Sequence, residues 1–409
     1  MIGRFAAGAQ AAVAEPARCR VLLIATDVLN HGGIQRFNRT LIAALRRLDV
    51  RLDVLSLNDL PGARPGSEEI HDATVVGFGR NKLAFASALV HALATCRYDA
   101  LLVGHIHFAR MVAIACRLPG LAVPPRRILI AHGLEVWDSV HGGTRRALTA
   151  FTDILSVSSY TRDMLCEQAP ELARRRLHVF PNALAEIWVR RAEESRPRLP
   201  AAAATRARPY FLSVTRIGSN ERTKGIVTTL EAFASLGEAG LDYVIAGRGD
   251  DVGFLRAYAQ RLGLAGRVRF VGAVGDAALA DLYRECRAFV LPSGQEGFGI
   301  VYLEAMYFGA PVVAARAKGV TDVVADETTG LLVEFGDVVA LSRCLQRVAN
   351  DAALRDRLRS NGLRQVTGDG PFTFDAFVAR VAQILGLSPP RRADAPLGAV
   401  RTAAIAAEA

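Results

Sequence analysis

Two glutamates with seven residues between them, Glu296 and Glu304, stand in the stretch PSGQEGFGIVYLEAMYFGAP, residues 292–311. An apolar run at 288–291 precedes this stretch, and a β-branched run at 311–315 follows it. The pattern predicts a strand, a glycine-bearing loop, a helix, a tight turn and a second strand, which is half of a doubly wound unit. Carboxylates at the end of such a strand suit a ligand that carries hydroxyl groups.

The glycines of this stretch favour a bound anion. Gly297 and Gly299 remove side chains where the loop enters the helix. The first helical N–H groups, around Gly299, Ile300 and Val301, have no partner within the helix. An anionic or hydroxyl-rich ligand can therefore approach them closely, and a phosphate-sugar fits that description.

The two acids add specificity to this prediction. Glu304 lies four residues after Ile300 and four before Phe308, so it shares a helix face with apolar neighbours. An ionised carboxylate is costly there unless something donates hydrogen bonds to it, and a sugar diol would supply two donors. Glu296 points into the same crevice from the loop. A solvated loop acid and an exposed helix acid are the alternatives, favoured for either glutamate alone but not for the pair.

Two cations occur in the polar loop SVTRIGSNERTKG, residues 213–225, which follows another apolar run. Arg216 and Lys224 bracket this loop, and two fixed cations from one loop are what a leaving diphosphate needs as negative charge builds on it. The alternative is a pair of solvated loop cations, which is the usual environment of arginine and lysine.

Strands alternate with helical segments along the chain, which predicts the α/β class. Most strands are near-continuous apolar runs, as expected of parallel strands buried on both faces. Between the two series of strands, residues 183–209 are rich in Ala, Arg, Glu and Pro and indicate an interdomain linker. The first series is predicted at 21–26, 52–57, 75–78, 100–104, 128–131, 154–158 and 177–180, and the second at 210–214, 243–246, 268–271, 288–291, 311–315 and 331–335.

Glycines and a histidine follow strands of the first series. Gly32 and Gly33, in NHGGIQRF, open a helix, so their backbone can approach a phosphate; the alternative is an ordinary strand-to-helix turn. His132, in AHGLEVWD, ends a strand and faces the predicted cleft, although a lone histidine is more often a structural residue.

The sequence indicates no metal site. His105 and His107 lack an evident third ligand, so acceptor-loop or packing roles are favoured for them. The six cysteines are scattered without a close pair and indicate reduced thiols. No Asp-x-Asp pair that could hold a metal-bound diphosphate follows any predicted strand. Arg216, Lys224 and helix N-termini are therefore expected to do the work of a metal ion, with no cofactor.

Length and charge bound the class of protein. A chain of 409 residues exceeds the size at which one core stops growing, which favours two domains. Residues 1–198 hold 26 Lys+Arg against 18 Asp+Glu, whereas 199–409 hold 24 against 22. The basic first half could meet anionic lipid head groups or a pyrophosphate-linked acceptor, or merely keep the surface soluble. Nucleic acid is not expected, because no binding motif accompanies the charge. The longest apolar runs are strand-sized, so no transmembrane anchor is expected.

The stretch at 292–311 resembles the signature of retaining glycosyltransferases of family 4, and the resemblance covers about 21–385. It implies the GT-B fold, in which two Rossmann-like doubly wound domains face each other across a cleft. The expected organisation is a flexible leader at 1–19, an acceptor domain at 20–198, a donor domain at 199–371, a helix at 372–387 that crosses back to the first domain, and a disordered tail at 388–409.

The resemblance also implies roles for individual residues. Glu304 would hold the ribose hydroxyls of a nucleotide-sugar, and Glu296 would lie beside the donor sugar. Arg216 and Lys224 would clamp the diphosphate, while His132 would lie against the donor sugar or its acceptor. Further donor contacts are expected from the backbone of Phe298, Gly299, Ile300 and Val301, from the glycine loop of Gly32 and Gly33, and from Val274 near the base.

The sequence thus predicts a metal-independent, retaining glycosyltransferase that moves a sugar from a nucleotide-sugar to a hydroxyl of an oligosaccharide or polyprenyl-linked acceptor. It is expected in the cytoplasm, with peripheral contact to the inner face of the membrane, in cell-surface polysaccharide or glycolipid synthesis. A covalent intermediate and same-face attack both remain open, the second being preferred by resemblance. A nucleotide-sugar epimerase, a glycogen-type synthase and a non-catalytic scaffold are the alternatives on this fold.

Overall fold

The computed structural model describes residues 19–63, 70, 73–137, 140–172, 176–189, 208–237 and 240–389. The predicted leader up to residue 18, the middle of the predicted linker at 190–207 and the predicted tail from residue 390 fall outside the described residues.

The first half of the chain forms one parallel sheet. Its seven strands lie in the order β3-β2-β1-β4-β5-β6-β7. Side chains of β1 alternate between two apolar cores, with Leu22 and Ile24 on one face and Val21 and Leu23 on the other. The strands are β1 (Arg20–Ala25), β2 (Arg51–Ser56), β3 (Val75–Gly77), β4 (Ala100–Val103), β5 (Arg126–Ala131), β6 (Asp153–Ser156) and β7 (Leu177–Val179).

The second half forms a separate parallel sheet of six strands, in the order β10-β9-β8-β11-β12-β13. One apolar core surrounds this sheet and also includes Ile187 and Trp188, which lie where the chain leaves the first sheet. The strands are β8 (Tyr210–Val214), β9 (Asp242–Ala246), β10 (Val268–Gly272), β11 (Ala288–Leu291), β12 (Val312–Ala315) and β13 (Gly330–Val333).

Helices connect the strands and cover both faces of each sheet. The first unit contains α1 (Gly33–Arg47), α2 (Lys82–Thr95), α3 (Ala109–Ala115), α4 (Leu134–Trp137), α5 (Gly142–Leu148) and α6 (Ser159–Gln168). The second unit contains α7 (Ile226–Ala234), α8 (Val252–Arg261), α9 (Asp276–Glu285), α10 (Ile300–Tyr307), α11 (Val338–Asn350) and α12 (Ala352–Val366).

The last helix, α13 (Phe374–Leu385), packs on the first unit although it follows the second in sequence. Phe377 lies edge-on to Phe37 of α1, with ring centroids 5.8 Å apart, and is fully buried. The backbone N–H of Leu184 donates to the carbonyl of Phe372 at 2.9 Å, so the two chain crossings between the units are joined side by side.

Both sheets reverse their strand order beside their first strand, between β1 and β4 and between β8 and β11. Ligands of open α/β sheets bind outside the carboxyl ends of the strands at such switch points. All thirteen strands predicted from the sequence are present, with ends that differ by two residues or fewer. The α/β class and the two Rossmann-like units are therefore confirmed, and the loops after β1, β8 and β11 lie where a ligand is expected.

Candidate functional site

Lys224 and Glu296 form an ion pair at the switch point of the second sheet. Lys224 Nζ lies 2.9 Å from Glu296 Oε2 and 3.4 Å from the carbonyl of Gln295. The side chains are 14% and 19% exposed, so the pair is half-covered but remains open to a ligand. Gly225 lies in the left-handed region at φ 76°, and a Cβ there would be 2.3 Å from the carbonyl of Pro292. The loop that ends at Gly225 and the loop that begins at Pro292 therefore approach each other closely, and this brings Lys224 to Glu296.

The N-terminus of α10 begins beside this pair. Gly299 precedes the helix at φ 91°, and no side chain caps the first turn. A Cβ on Gly299 would lie 2.3 Å from the ring of Tyr302, so only glycine fits. Phe298 is 2% exposed and packs edge-on against Phe372, so its side chain belongs to the core and only its backbone can reach a ligand. The backbone around Ile300 therefore offers an uncapped positive helix end.

Glu304 is buried, with 5% of the residue exposed, so the alternative of an exposed helix acid is wrong. Its carboxylate accepts a hydrogen bond from Trp188 Nε1 at 3.1 Å and another from the hydroxyl of Tyr283 at 3.2 Å. Burial raises the pKa of Glu304, and the nearby Arg36 guanidinium opposes that rise. Trp188 and Tyr283 thus already donate hydrogen bonds of the kind that the sequence analysis expected from a sugar diol. A ligand would donate to the remaining lone pairs of the Glu304 carboxylate.

Two predicted donor contacts lie apart from these groups. Arg216 is 74% exposed, and its guanidinium pairs with Glu221 at 2.6 Å rather than with Glu296. Val274 follows β10 and packs, half-buried, against the second core. Both residues lie on loops at the carboxyl ends of second-sheet strands, but Arg216 is paired with Glu221 and Val274 is packed against the core.

His132 lies at the end of β5 in the first unit. Its Nε2 is 3.0 Å from the carbonyl oxygen of Gly104, and because a carbonyl only accepts, we assign the proton to Nε2. Burial lowers the pKa of His132 to about 4, so the ring is neutral at pH 7. Nδ1 then carries a lone pair that can accept a hydrogen bond from a hydroxyl.

The glycine loop after β1 opens α1. Gly32 has φ 153°, and a Cβ there would lie 2.2 Å from Gln35 Oε1, whereas a Cβ on Gly33 would meet no atom within 4 Å. No side chain caps the first turn of this helix. The open space around Gly33 and the uncapped helix end are both compatible with the expected approach of a phosphate.

The two units meet at His132 and Gly297. A Cβ on Gly297 would lie only 2.0 Å from the carbonyl oxygen of His132, so glycine at this position makes room for the facing unit. A Cβ on Gly319 would lie 2.0 Å from the carbonyl oxygen of Gly297 in turn. We expected Gly297 to make room for a ligand, and the structure gives a different reason for it.

Residues 318–322 extend this contact to α6. The hydroxyl of Ser159 donates to Asp322 at 2.6 Å, and the ammonium of Lys318 lies 4.0 Å from the ring centroid of Trp137. Ser158 caps α6 by accepting a hydrogen bond from the backbone N–H of Thr161. The unit boundary is therefore fixed by polar contacts as well as by close backbone packing.

Sequence reasoning missed Arg36, Trp188 and Tyr283, which surround Glu304. Arg36 Nη2 lies 3.4 Å from Asp276 Oδ1, and its Nε lies 3.9 Å from Glu304 Oε1. No local signal identifies them, because an arginine in a first helical turn and aromatic residues at helical spacing are usually surface and core residues. Their role depends on two sheets that come together only in the tertiary structure.

The described residues contain no group of three or more His, Cys, Asp or Glu side chains that could hold a metal ion. His105 accepts from the backbone N–H of His107 at 3.3 Å, and the two rings lie 4.3 Å apart. In the same part of the chain, none of the helices has both the length and the apolar character that crossing a bilayer requires.

Two family models match the chain in succession. The model of Glycosyltransferase Family 4 matches residues 31–185, and that of Glycosyl transferases group 1 matches residues 200–365. Among curated relatives, a D-inositol 3-phosphate glycosyltransferase of Streptomyces avermitilis is 44% identical over 25% of this chain and 22% of its own length. A lipopolysaccharide core biosynthesis glycosyltransferase, LpsE of Rhizobium meliloti, is 32% identical over 43% of this chain and 50% of its own length. The matches thus span half or less of these relatives.

A solved structure extends the likeness to the whole fold. HepE of Anabaena, in complex with UDP and glucose, superposes with a TM-score of 0.72 over 90% of this chain and 100% of that chain, at 19% identity. The two family models fall on the two sheets in turn, and the likeness spans both. We conclude that the chain has the GT-B fold and belongs to the glycosyltransferases of family 4 and group 1.

Proposed function

We propose that this protein is a retaining glycosyltransferase that moves a sugar from a nucleotide-sugar to a hydroxyl of an oligosaccharide or polyprenyl-linked acceptor. The observation that carries the proposal is the ion pair of Lys224 and Glu296, which stands beside the uncapped N-terminus of α10 and opposite His132. A cation, an acid and a positive helix end at one switch point match the charges that develop when a phosphate leaves a sugar.

The leaving diphosphate binds Lys224 and the first turn of α10. Arg216 joins them when it exchanges Glu221 for a phosphate oxygen, which its exposed position on the same loop allows. These groups stabilise negative charge that is larger in the transition state than in the bound donor, so they lower the barrier and do more than tighten binding. They take the place of a metal ion in this proposal, and no cofactor is required.

The sugar lies between Glu296 and His132. Glu296 orients it and shields the positive charge that develops at the anomeric carbon, while neutral His132 accepts a hydrogen bond from a sugar hydroxyl at Nδ1. The acceptor oxygen attacks the anomeric carbon from the face that the diphosphate leaves. The bond from that carbon to the phosphate oxygen breaks, the new glycosidic bond forms, and the acceptor proton passes to the departing phosphate.

The nucleoside lies toward Glu304 and Val274. Glu304 accepts from the ribose hydroxyls, and the backbone of Val274 contacts the base. Support comes from the solved relative HepE of Anabaena, which holds UDP and glucose in one structure and UDP-glucose in another. In this proposal the second unit binds the nucleotide-sugar donor and the first unit binds the acceptor.

We place the protein in the cytoplasm, in peripheral contact with the membrane, in the synthesis of a cell-surface polysaccharide or glycolipid. Support comes from the lipopolysaccharide core enzyme of Rhizobium meliloti among the relatives and from the basic first half of this chain. Sedimentation with anionic vesicles and release by salt are expected, whereas equal sedimentation with neutral vesicles would remove the electrostatic argument.

Incubation with a panel of nucleotide-sugars, with and without a lipid extract, tests the function. A transferase releases nucleoside diphosphate mainly when acceptor is present, an epimerase isomerises the donor sugar, and a scaffold turns over nothing. NMR of the product should show that the anomeric configuration of the donor is retained. EDTA should leave the rate nearly unchanged, and loss of activity that manganese restores would contradict metal independence.

A further inference from the structure

Arg36 is the residue of the first unit that reaches the proposed nucleoside site. It lies in the first turn of α1, yet its guanidinium crosses to the second unit, 3.4 Å from Asp276 and 3.9 Å from Glu304. The guanidinium carbon lies 5.1 Å from the ring centroid of Trp188, and the side chain is only 15% exposed. Arg36 therefore contacts Glu304, one predicted nucleoside contact, and Asp276, which follows the other, Val274, by two residues in the chain.

Groups from both units act on the Glu304 carboxylate. Among the described residues these include Arg36 from α1, Asp276 and Tyr283 from α9, and the neutral indole of Trp188. Burial raises the pKa of Glu304 and Asp276 raises it further, whereas Arg36 and the two hydrogen bonds lower it. Of the opposing groups, Arg36 has the largest effect, and it belongs to the other unit.

We propose that Arg36 is a positioning residue, which from across the cleft keeps the Glu304 carboxylate ionised and fixed as the acceptor for the donor's ribose hydroxyls. This inference rests on the proposed function and adds that donor binding is coupled to closure of the two units, because the donor site is complete only when the units are closed. An ionised carboxylate offers about four acceptor positions, and two are already used by Trp188 and Tyr283. The remaining ones stay available only while no proton occupies them.

Closure and donor binding then support each other. Bringing Arg36 to Glu304 favours the charged form that binds ribose, and a bound ribose favours the closed arrangement by the same free energy. If Glu304 takes up a proton, donor affinity should fall about tenfold for each further pH unit of acidification, which is the slope for one linked proton.

The test measures the dissociation constant of a nucleoside diphosphate by calorimetry from pH 5 to 9 on the full chain. The probe is the tightest binder among UDP, GDP, ADP and CDP, all of which carry ribose. The phosphates of the chosen probe titrate in the same way whichever variant is measured. The variants are Arg36→Gln, Arg36→Lys and Asp276→Asn, with Arg47→Gln as the control. Arg47 lies in the last turn of α1 and pairs with Asp375 at 3.2 Å, away from Glu304.

Arg36→Gln should begin to lose affinity at a higher pH than the parent, because Glu304 then lacks its opposing cation. Asp276→Asn should move the onset to lower pH, since it removes a negative neighbour and releases Arg36 toward Glu304. Arg36→Lys should restore the parent profile in part, and Arg47→Gln should not change it. A loss of packing alone would weaken binding equally at every pH.

An Arg36→Gln protein that binds more tightly than the parent, or with the parent's pH profile, overturns the proposal. Tighter binding would mean that Arg36 competes with ribose for the carboxylate. A parent protein that binds none of the four nucleotides refutes the proposed function itself. A parent that binds while Glu304→Gln binds equally well refutes the need for an ionised carboxylate at this position, whatever Arg36 does.

Discussion

The two units share one strand order, yet their loops carry different chemistry at the carboxyl ends of the strands. The loops of the second unit present Lys224, Glu296 and Arg216, all charged. The first unit presents the glycine loop and a neutral His132, and its cation Arg36 comes from the first helical turn rather than from a loop. All eight histidines of the chain lie in its first 178 residues. Under the proposed function, the second unit would bind the charged leaving group and His132 would meet a neutral hydroxyl, so the loops rather than the shared fold would decide the role of each unit.

Removing either charge of the Lys224 and Glu296 pair should erase this contrast between the units and should lower turnover more than any other change considered. Lys224→Ala and Glu296→Ala should each lower kcat by about 10²–10³, as expected when a group that acts on transition-state charge is lost. Arg222→Ala is the matched control, because Arg222 lies on the same loop but pairs with Asp251 at 3.2 Å. Steady-state kinetics decide the matter, and normal turnover by Glu296→Ala at saturating donor and acceptor would contradict its assigned role.

Separating the units should have the next largest effect. Gly297→Ala places a methyl group against the carbonyl of His132, so the units cannot close fully, and a misplacement of about 1 Å can cost about 10² in rate. Gly275→Ala is the control, because a Cβ there meets no atom within 4 Å. Kinetics and small-angle scattering of both variants test this, and full activity of Gly297→Ala would show that closure is not needed.

Altering Glu304 should weaken donor binding more than turnover. Loss of a charged hydrogen bond to the ligand costs roughly 1.5–3 kcal/mol, about one to two decades in affinity. Glu304→Ala also leaves Trp188 and Tyr283 without an acceptor, so its free energy of unfolding should fall by about 1–3 kcal/mol, whereas Glu304→Gln keeps an acceptor. Circular dichroism must first show intact folds. Donor binding as tight as the parent's would contradict the ribose role.

The buried, neutral histidines of the first unit should make the free energy of unfolding depend on pH in the mildly acidic range. Burial lowers the pKa of His105 and of His132 from the ordinary 6.5 to about 4. Between these values the unfolded chain binds protons that the folded chain does not, so the free energy of unfolding falls as pH falls, by at most about 1.4 kcal/mol per pH unit for each histidine. His132→Gln should show a smaller slope in denaturant titrations, and an equal slope would mean that His132 is charged when folded.

The sequence predicts the strands well because parallel strands buried on both faces are continuous apolar runs. Glu296 and Lys224 could be assigned to the site because each follows a strand beside a switch point, so topology brings them together. The sequence also predicts a role for Glu304, but it does not predict the side chains that contact Glu304. Arg36 lies 268 residues before Glu304 in the chain, and no local periodicity reports a contact that forms only when two sheets face each other.

The same inability of local sequence patterns to report contacts between the units explains why the reason for Gly297 was predicted incorrectly. A glycine pair near a helix start suggests ligand approach, because that is the property visible within one loop. The need for space at Gly297 comes from His132 in the other unit, and the need at Gly319 comes from Gly297. Sequence patterns describe single elements, whereas these positions are defined by the boundary between two units.

Both tryptophans of the chain lie at that boundary, and this gives the protein a built-in optical reporter. The Lys318 ammonium of the second unit lies over the ring of Trp137 in the first unit. The indole N–H of Trp188 donates to Glu304, and the Arg36 guanidinium lies over the Trp188 ring. Emission wavelength depends on charges near the indole, so opening of the cleft should shift the fluorescence of both. In Trp137→Phe the remaining signal comes from Trp188 alone, so stopped-flow mixing with donor can time the movement at the nucleoside end without any added dye.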